Sequence, residues 1–391
     1  MKKTQLVFVP APGFGHLVSA LQLAKMVLER NDSFLITMLA INNPFYGSIS
    51  KNTESLASIH TEIRFIEIPE TIPAPPPEAL AVSPASAFTS YINDHKTLVK
   101  DTIVKLVMAH NPAPIASVVV DMFCTVFIDV AKELGVPSHV FFTSDAAFLG
   151  MTLYLSDRED KGEPKFSPTD PDYIIPCYSN PVPYRVMPVL HTDVEYEAFA
   201  NHGREFKDSN GIIVNTFSEA ESHAVSALLA RDDIPPIFNV GPLIDHKGKS
   251  LSGSDAVKRD GSLKWLDDQP EKSVVFLCFG SGGGFDEAQL KEIAIGLERS
   301  GHRFLWSIRL KPSKGKLQAM ELTLDFRRDC PTDFVKAEVI TKAVKTVMEQ
   351  GGELRNKAKE TSEMAKKAVM EGGSSYVAFG NLIDQWLGSK P

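Results

Sequence analysis

The stretch that decides the fold runs Gln5-Leu-Val-Phe-Val-Pro-Ala-Pro-Gly-Phe-Gly-His16 and continues as Leu17-Val-Ser-Ala-Leu-Gln-Leu-Ala-Lys-Met-Val-Leu-Glu-Arg30. Residues 6–9 form a continuous apolar run, which is typical of a strand covered on both faces. From residue 17 onward, apolar residues recur at intervals of three and four, as on one face of a helix. The stretch therefore predicts a strand, a turn and a helix, the first unit of an α/β fold.

The turn of this unit places two glycines and a histidine at the predicted helix N-terminus. Gly13 and Gly15 allow close approach of a ligand to the backbone, because neither carries a Cβ atom. The free N–H groups and the helix dipole disfavour a protonated His16, so we expect a neutral imidazole that can act as a base. An ordinary turn residue is the alternative interpretation of His16.

A dinucleotide site is a poor match to the same turn. Gly13 and Gly15 fit the first two glycines of the dinucleotide fingerprint, but Val18 occupies the third position. The second predicted strand, residues 34–40, is followed by Ile41-Asn42-Asn43 and not by the acidic residue that would bind a ribose. The sequence therefore argues against a nicotinamide cofactor.

Length and composition indicate a globular protein of two domains. The chain has 391 residues, of which 43% are hydrophobic and 23% charged, and its formal net charge is −8. This charge argues against nucleic acid or an anionic membrane as the main partner. The sequence has neither a signal segment nor an apolar run that could span a bilayer, so we expect a cytoplasmic protein without a stable membrane anchor. We also expect a monomer, although no sequence feature indicates the oligomeric state. Four widely spaced cysteines indicate reduced, mostly buried thiols and no metal site.

Strands and helices alternate along the first half of the chain. Strands are predicted at 63–68, 115–120 and 138–142, with helices at 85–110 and 126–134, which indicates a parallel, doubly wound sheet. The following Pro-, Asp- and Tyr-rich segment, residues 156–210, predicts a long loop with some helix at 194–207. We place the first domain at 1–243, a linker rich in Ser, Gly, Asp and Lys at 244–262, a second domain at 263–370 and a final helix at 371–391.

Ligands of such sheets bind at the carboxyl ends of the strands. Residues 13–16, 121–123 and 143–145 follow three predicted strands and should share one rim. Asp121 is therefore a candidate partner for His16, because a carboxylate on one imidazole nitrogen leaves the other free to take a proton. The alternative is that Asp121 caps the following helix.

The second half begins like the first. A strand at 273–279 leads into Gly280-Ser-Gly-Gly-Gly284, after which Asp286 is predicted to cap a helix that ends at Gly301. A strand follows at 303–308, and helices are predicted at 336–349 and 353–386. A glycine-rich turn before a helix offers N–H groups to a phosphate, although tight turns also collect glycines.

Eight motifs, in order along the chain, closely resemble those of the plant secondary-product UDP-glycosyltransferases. They are Pro-Gly-Phe-Gly-His16, Val-Val-Val-Asp121-Met-Phe, Phe-Phe-Thr143-Ser, Ile-Val-Asn215-Thr-Phe, Val-Gly241-Pro-Leu, Trp265-Leu-Asp-Asp-Gln-Pro270, Val-Phe-Leu-Cys-Phe-Gly-Ser281 and Phe-Leu-Trp306-Ser-Ile-Arg309. The tail Glu371-Gly-Gly-Ser-Ser-Tyr-Val-Ala-Phe379 is similar to the closing helix of that family. The resemblance covers nearly the whole chain.

The resemblance implies a GT-B fold of two facing Rossmann-like domains and an inverting transfer of glucose, or a similar sugar, to a hydroxyl of a small lipophilic plant metabolite. His16 would be the general base and Asp121 its orienting carboxylate. Thr143, Ser281 and Gly283 would bind the donor. The UDP-sugar would be a co-substrate, and neither a metal nor another cofactor would be needed.

One departure from the family pattern concerns the donor half. The family's donor-binding box, which starts with Trp and contains His-Cys-Gly-Trp-Asn, should follow Arg309 and is absent from this sequence. The gap falls near residues 313–320, so the second domain is expected to be incomplete. An incomplete sequence, a natural isoform and an engineered deletion all fit. The alternative function is therefore an acceptor-binding protein without turnover.

The acceptor site is predicted from apolar residues near the rim formed by residues 13–16, 121–123 and 143–145. The candidates are Phe14, Gly15, Phe88, Met122, Phe123 and Phe148. Aromatic and Met residues at such spacing also occur as ordinary core residues, which is the alternative for each of them.

Overall fold

The computed structural model describes residues 3–42, 50–76, 78–79, 83–109, 113–187, 193–244, 254–280, 285–308 and 334–388. The chain divides into two units. The first unit comprises Met1–Tyr184, Leu190–Ser250 and Met364–Pro391, and the second comprises Arg185–Val189 and Leu251–Glu363.

The first unit is built on a sheet of seven strands that are all parallel to their neighbours, in the order β3-β2-β1-β4-β5-β6-β7. The strands are β1 (Thr4–Val9), β2 (Phe34–Ala40), β3 (Ile63–Glu67), β4 (Ile115–Asp121), β5 (Ser138–Phe142), β6 (Ile212–Val214) and β7 (Ile237–Asn239). The parallel, doubly wound sheet predicted from the sequence is confirmed.

Helices accompany these strands along the chain. They are α1 (Phe14–Arg30), α2 (Ser50–Ile59), α3 (Pro84–Asp94), α4 (Lys96–Val107), α5 (Val126–Glu133), α6 (Ala146–Asp160), α7 (Asp193–Phe206) and α8 (Ser222–Leu229), with a short 3₁₀ turn at Tyr184–Val186. The helix expected at 194–207 corresponds to α7.

The apolar run of β1 is buried on both faces of the sheet, as predicted. Val7 and Val9 belong to the hydrophobic cluster on one face, and Leu6 and Phe8 belong to the cluster on the other. Side chains of a strand alternate between faces, so a strand between two helical layers needs apolar residues at every position. This is why the run lacks the polar alternation of a half-exposed strand.

The C-terminal helix α13 (Ser374–Trp386) belongs to the first unit and covers one face of its sheet. Its buried residues Phe379, Leu382, Ile383 and Trp386 join the cluster that contains Leu6 and Phe8. Near the start of the helix, the Ser375 hydroxyl donates to the carbonyl of Gly241 at 2.6 Å. The last helix therefore completes the core of the domain formed by the start of the chain.

The chain order of the strands reverses between β1 and β4. From β1 the sheet grows through β2 to β3 on one side, and from β4 it grows through β5 to β7 on the other. The two crossovers leave β1 and β4 in opposite directions, which opens a crevice at their carboxyl ends. His16, in the first turn of α1, and Asp121, the last residue of β4, flank this crevice.

The second unit contains a two-stranded parallel sheet of β8 (Val274–Cys278) and β9 (Arg303–Ser307). It also contains α9 (Ser254–Asp267), α10 (Glu287–Ser300), α11 (Ala337–Gln350) and most of α12 (Gly352–Val369). The Asp286 side chain accepts the N–H of Gln289 at 2.8 Å, and Gly301, with φ of +73°, ends α10, as predicted. Ile293, Leu297 and Val344 form the core between α10 and α11.

Two long helices predicted from the sequence are each interrupted. The helix expected at 85–110 breaks at His95. The Nδ1 of His95 bonds to the carbonyl of Tyr91 at 2.8 Å and so competes for this carbonyl with the backbone N–H of His95, which would bond to it in a continuous helix. The helix expected at 353–386 breaks at Gly372, where φ is +81°. A Cβ atom on the next residue, Gly373, would lie 2.1 Å from the carbonyl oxygen of Lys367. Apolar periodicity continues across both breaks and does not reveal them.

Other expectations concern segments that the structure describes only in part. Helix α9 begins at Ser254, inside the linker proposed at 244–262. The gap proposed near 313–320 lies outside the described residues. None of the helices in the described ranges combines the length and apolarity needed to cross a bilayer. Cys124 and Cys177 are buried free thiols and Cys278 is exposed, whereas Cys330 lies outside the described part of the chain.

Candidate active site

His16 and Asp121 form a hydrogen-bonded pair at the carboxyl edge of the sheet. Nδ1 of His16, in the first turn of α1, lies 2.8 Å from Oδ2 of Asp121, the last residue of β4. The carboxylate is buried, with 1% of its side chain exposed, whereas 29% of the imidazole is exposed. Within the described residues, Nε2 of His16 has no hydrogen-bond partner, so the pair can present a free ring nitrogen to a ligand.

The other carboxylate oxygen of Asp121 fixes its orientation. Oδ1 accepts the backbone N–H of Phe123 at 3.1 Å, in the turn that follows β4. Because Oδ1 is engaged by this turn, Oδ2 remains directed at the imidazole. The helix-cap alternative for Asp121 does not apply to α5, whose N-cap position is Thr125.

A third side chain reaches the same ring nitrogen. Thr143 immediately follows β5, and its Oγ1 lies 3.3 Å from Nδ1 of His16. The strands β1, β4 and β5 are neighbours in the sheet, so their carboxyl ends bring His16, Asp121 and Thr143 together. Their proximity confirms the rim predicted from the sequence. The chemical roles of the three residues stay predictions.

The electrostatics of His16 differ from the expectation based on the helix dipole. Burial lowers the pKa of His16, but the charge of Asp121 and the hydrogen bond to it outweigh burial, so the pKa is raised above the ordinary 6.5. The lowered pKa expected from the helix N-terminus alone is therefore wrong in direction, because Asp121 has the larger effect. An adjacent carboxylate makes the imidazole a stronger base, which needs a higher pH to be neutral.

The turn that carries Thr143 is held by two carboxylates at the start of α6. Asp145 caps the helix by accepting the N–H of Phe148 at 2.7 Å. Glu221 accepts the N–H groups of Ala146 and Ala147 at 2.9 and 3.0 Å. Burial, together with the nearby charge of Glu221, raises the pKa of Asp145. The position of Thr143 is thus determined by a helix N-terminus whose N–H groups are satisfied.

Aromatic rings extend from His16 into the first unit. Phe123 packs edge-to-face on His16, with ring centroids 5.6 Å apart, and on Phe88 at 6.1 Å. Phe199 of α7 contacts both Phe123, at 6.3 Å, and Phe148, at 5.7 Å. We call Phe88, Phe123, Phe148 and Phe199 the aromatic cluster. All except Phe199 are partly exposed, so the cluster offers apolar surface beside the base.

The remaining predicted residues lie in different surroundings. Phe14 is 42% exposed at the start of α1, and a Cβ atom on Gly15 would meet nothing within 4 Å. Met122 is only 3% exposed and is a member of the hydrophobic core cluster against which the ring of Phe123 packs. Ser281 and Gly283 lie outside the described residues.

Three residues near the site were missed by the sequence analysis. Phe199 and His202 lie three residues apart on α7 and both contact the ring of Phe123. Their helical spacing within the segment predicted as a helix was the available signal. Glu221 is the N-cap residue of α8, and nothing in the sequence around it indicates its bonds to α6.

No protein-family model matches the chain. UDP-glycosyltransferase 71K2 of Pyrus communis is 38% identical, over 99% of this chain and 99% of that protein. A putative UDP-glucose flavonoid 3-O-glucosyltransferase 3 of Fragaria ananassa is 35% identical, over 98% and 99%. The crystal structure of Medicago truncatula UGT71G1 complexed with UDP-glucose is 33% identical, covers 98% of each chain and gives a TM-score of 0.84. The α/β fold class with Rossmann-like domains of the GT-B type is thereby confirmed.

The alignment with the Pyrus protein also shows that this chain lacks internal residues. The alignment with the Pyrus protein extends over 477 positions, more than the 391 residues present here, although it covers 99% of both chains. The relative therefore carries internal residues without a counterpart in this sequence. This agrees with the absence of the donor-binding box.

Proposed function

Because the chain belongs to the plant UDP-glycosyltransferases, we propose that it transfers glucose from UDP-glucose to a hydroxyl of a small lipophilic plant metabolite. The observation that carries this proposal is the hydrogen bond between His16 and the buried Asp121, with the imidazole partly exposed. The Medicago structure, which is a complex with UDP-glucose, supports this sugar nucleotide as the donor.

His16 acts as the general base in this proposal. Asp121 holds the hydrogen on Nδ1, so that Nε2 carries the lone pair that takes the proton of the acceptor hydroxyl. The acceptor oxygen then bonds to the anomeric carbon as the bond from that carbon to the UDP oxygen breaks. A single displacement inverts the configuration at this carbon. The charge of Asp121 stabilises the imidazolium that forms.

The aromatic cluster favours an aromatic acceptor. Phe123 packs on His16, and the partly exposed rings of Phe88 and Phe148 extend the cluster from it directly and through Phe199; edge-to-face contacts suit a planar ring system. The Fragaria relative is named as a flavonoid glucosyltransferase, which agrees with a phenolic hydroxyl as nucleophile. We place Phe14 and Gly15 at the open side of the acceptor site, while Met122 supports it from the core.

The donor side of the proposal rests on sequence. Ser281 and Gly283 would offer backbone and hydroxyl donors to the diphosphate, and Thr143 would contact the sugar or its phosphates. Hydrogen-bond donors and helix N-termini would stabilise the leaving UDP without a metal. Action as a cytoplasmic monomer without a further cofactor is part of the same proposal.

A second candidate function is favoured by the missing donor box. The chain lacks internal residues that the Pyrus relative possesses, whereas His16 and Asp121 are present and lie within hydrogen-bond distance of each other. A protein of this kind would bind the aromatic acceptor without transferring sugar to it.

Incubation of the purified chain with UDP-glucose and a panel of phenols tests the two functions. We expect glucosides by mass spectrometry, and we expect His16→Ala to lower the rate by roughly 100-fold or more while acceptor binding persists. His223→Ala is the matched control, because His223 is an exposed residue bonded to the Pro176 carbonyl. Calorimetry that detects acceptor binding but no UDP binding would support the second function and exclude the first.

A further inference from the structure

We propose that Thr143 is a positioning residue that orients the imidazole of His16. This inference deepens the proposed function, since it concerns the base of that reaction. It assigns to Thr143 a role beyond a contact with the donor, namely a hydrogen bond to the ring nitrogen that faces away from the substrate.

The proton count on Nδ1 determines the direction of this hydrogen bond. Nδ1 bears one hydrogen, and the carboxylate of Asp121, at 2.8 Å, can only accept it. Nδ1 then has no lone pair for the hydroxyl of Thr143, which lies at 3.3 Å. The oxygen of Thr143 is therefore a second acceptor of the same N–H hydrogen, in a three-centre arrangement.

Two acceptors restrain the ring more than one. Asp121 alone sets the position of Nδ1 but allows the ring to swing about this contact. Thr143 comes from β5, the strand beyond β4, and so approaches Nδ1 from a separate element of the sheet. The two contacts together hold the plane of the imidazole and thus the direction of Nε2.

The hydrogen of the Thr143 hydroxyl is left for another group. Within the described residues, this hydroxyl makes no hydrogen bond other than the one to His16. A substrate oxygen that accepts this hydrogen would fix the rotation of the hydroxyl and keep its lone pair directed at Nδ1. Substrate contact and base orientation are then compatible functions of one side chain.

The backbone around Thr143 is rigid enough for this purpose. Two residues later, Asp145 caps α6, and Glu221 accepts the next two backbone N–H groups. Oγ1 of Thr216 is also bonded to Glu221, which ties the turn after β5 to the turn after β6. A residue held in this way can impose a direction on a neighbouring ring.

Nuclear magnetic resonance of labelled histidine tests the inference without requiring turnover. The signal of His16 is identified by its loss in His16→Gln, and its protonation is followed in the intact chain, in Thr143→Val and in Thr143→Ser. We expect Thr143→Val to weaken proton binding by roughly threefold, because an acceptor of the imidazolium N–H is lost, and Thr143→Ser to restore it. Thr102→Val is the matched control, since among the described residues the Thr102 hydroxyl bonds only to the Leu98 carbonyl, within α4.

An unchanged His16 titration in a folded Thr143→Val protein would overturn the inference. A shift that Thr143→Ser fails to reverse would do the same, because it would reflect the methyl group and not the hydroxyl. Kinetics add an independent comparison: we expect kcat to fall about tenfold in Thr143→Val and to recover in Thr143→Ser, while the KM for UDP-glucose also rises in Thr143→Val because the donor contact is lost. A rise in that KM alone would assign Thr143 to the donor only. Absence of transfer by the unmodified chain would defeat the proposed function and leave the titration result standing.

Discussion

Asp121 accepts the backbone N–H of Phe123 with Oδ1 at 3.1 Å, two residues further along the chain. The same carboxylate contacts His16, which is 105 residues away in sequence, with Oδ2 at 2.8 Å. One oxygen therefore serves a local turn and the other a long-range pair. Because both oxygens are engaged, the orientation of the carboxylate is restrained before any substrate binds.

Replacement of Asp121 by Asn should separate charge from shape. The amide would retain the size of the carboxylate but could not stabilise the imidazolium, so we expect Asp121→Asn to lower kcat about 100-fold or more, measured with UDP-glucose and a phenol. Asp129→Asn is the matched control, because Asp129 is exposed and pairs only with Lys96 in the described structure. Equal rates in the two variants would contradict the assigned role of Asp121.

The pH dependence of transfer should reflect the raised pKa of His16. The base acts only as the neutral imidazole, so the rate should fall as the pH decreases through the pKa, and the midpoint should lie above the ordinary 6.5. The stability contribution of the pair has the opposite dependence. It is fully present below the unfolded-state pKa and is lost as the pH rises through the raised folded-state pKa. A kcat/KM profile with its acid midpoint below 6.5 would show that another group limits the rate.

Phe199→Leu should weaken binding of an aromatic acceptor. Phe199 contacts both Phe123 and Phe148, so its replacement removes the ring that connects these two members of the aromatic cluster. We expect the dissociation constant of a planar phenol, measured by calorimetry without donor, to rise roughly fivefold. Phe166→Leu is the control, since Phe166 packs on Tyr173 and Tyr196 outside this cluster. An equal loss of affinity in both variants would indicate a general effect on folding.

Trp386→Ala should strongly destabilise the first unit. Trp386 is 4% exposed on α13, packs edge-to-face on Phe34 at 6.2 Å and on His139 at 5.6 Å, and therefore ties the last helix to the sheet. We expect a loss of about 3–5 kcal/mol in the free energy of unfolding in urea. Trp265→Ala on α9 is the matched control, because Trp265 is 39% exposed. Comparable losses in both variants would argue against a special contribution of α13.

Local patterns predicted the elements but not all of their boundaries. The apolar runs of β1 and β4 and the cap and end of α10 could be recognised because each depends on neighbouring residues. The break at His95 could not, since it depends on a side chain that bonds to its own preceding turn while the apolar pattern continues. Residue types alone likewise could not place Met122 in the core.

The sequence by itself determined that His16, Asp121 and Thr143 follow three strands of a parallel sheet, because strand and turn signals are local. Only the tertiary structure decided the atoms that meet and the charge that results. The order of β1, β4 and β5 in the sheet places Oδ2 of Asp121 and Oγ1 of Thr143 on one nitrogen of His16. The pKa of that imidazole depends on the distance to Asp121, which is far away in the chain. It also depends on burial, which opposes the effect of Asp121 and arises only when the helices pack on the sheet.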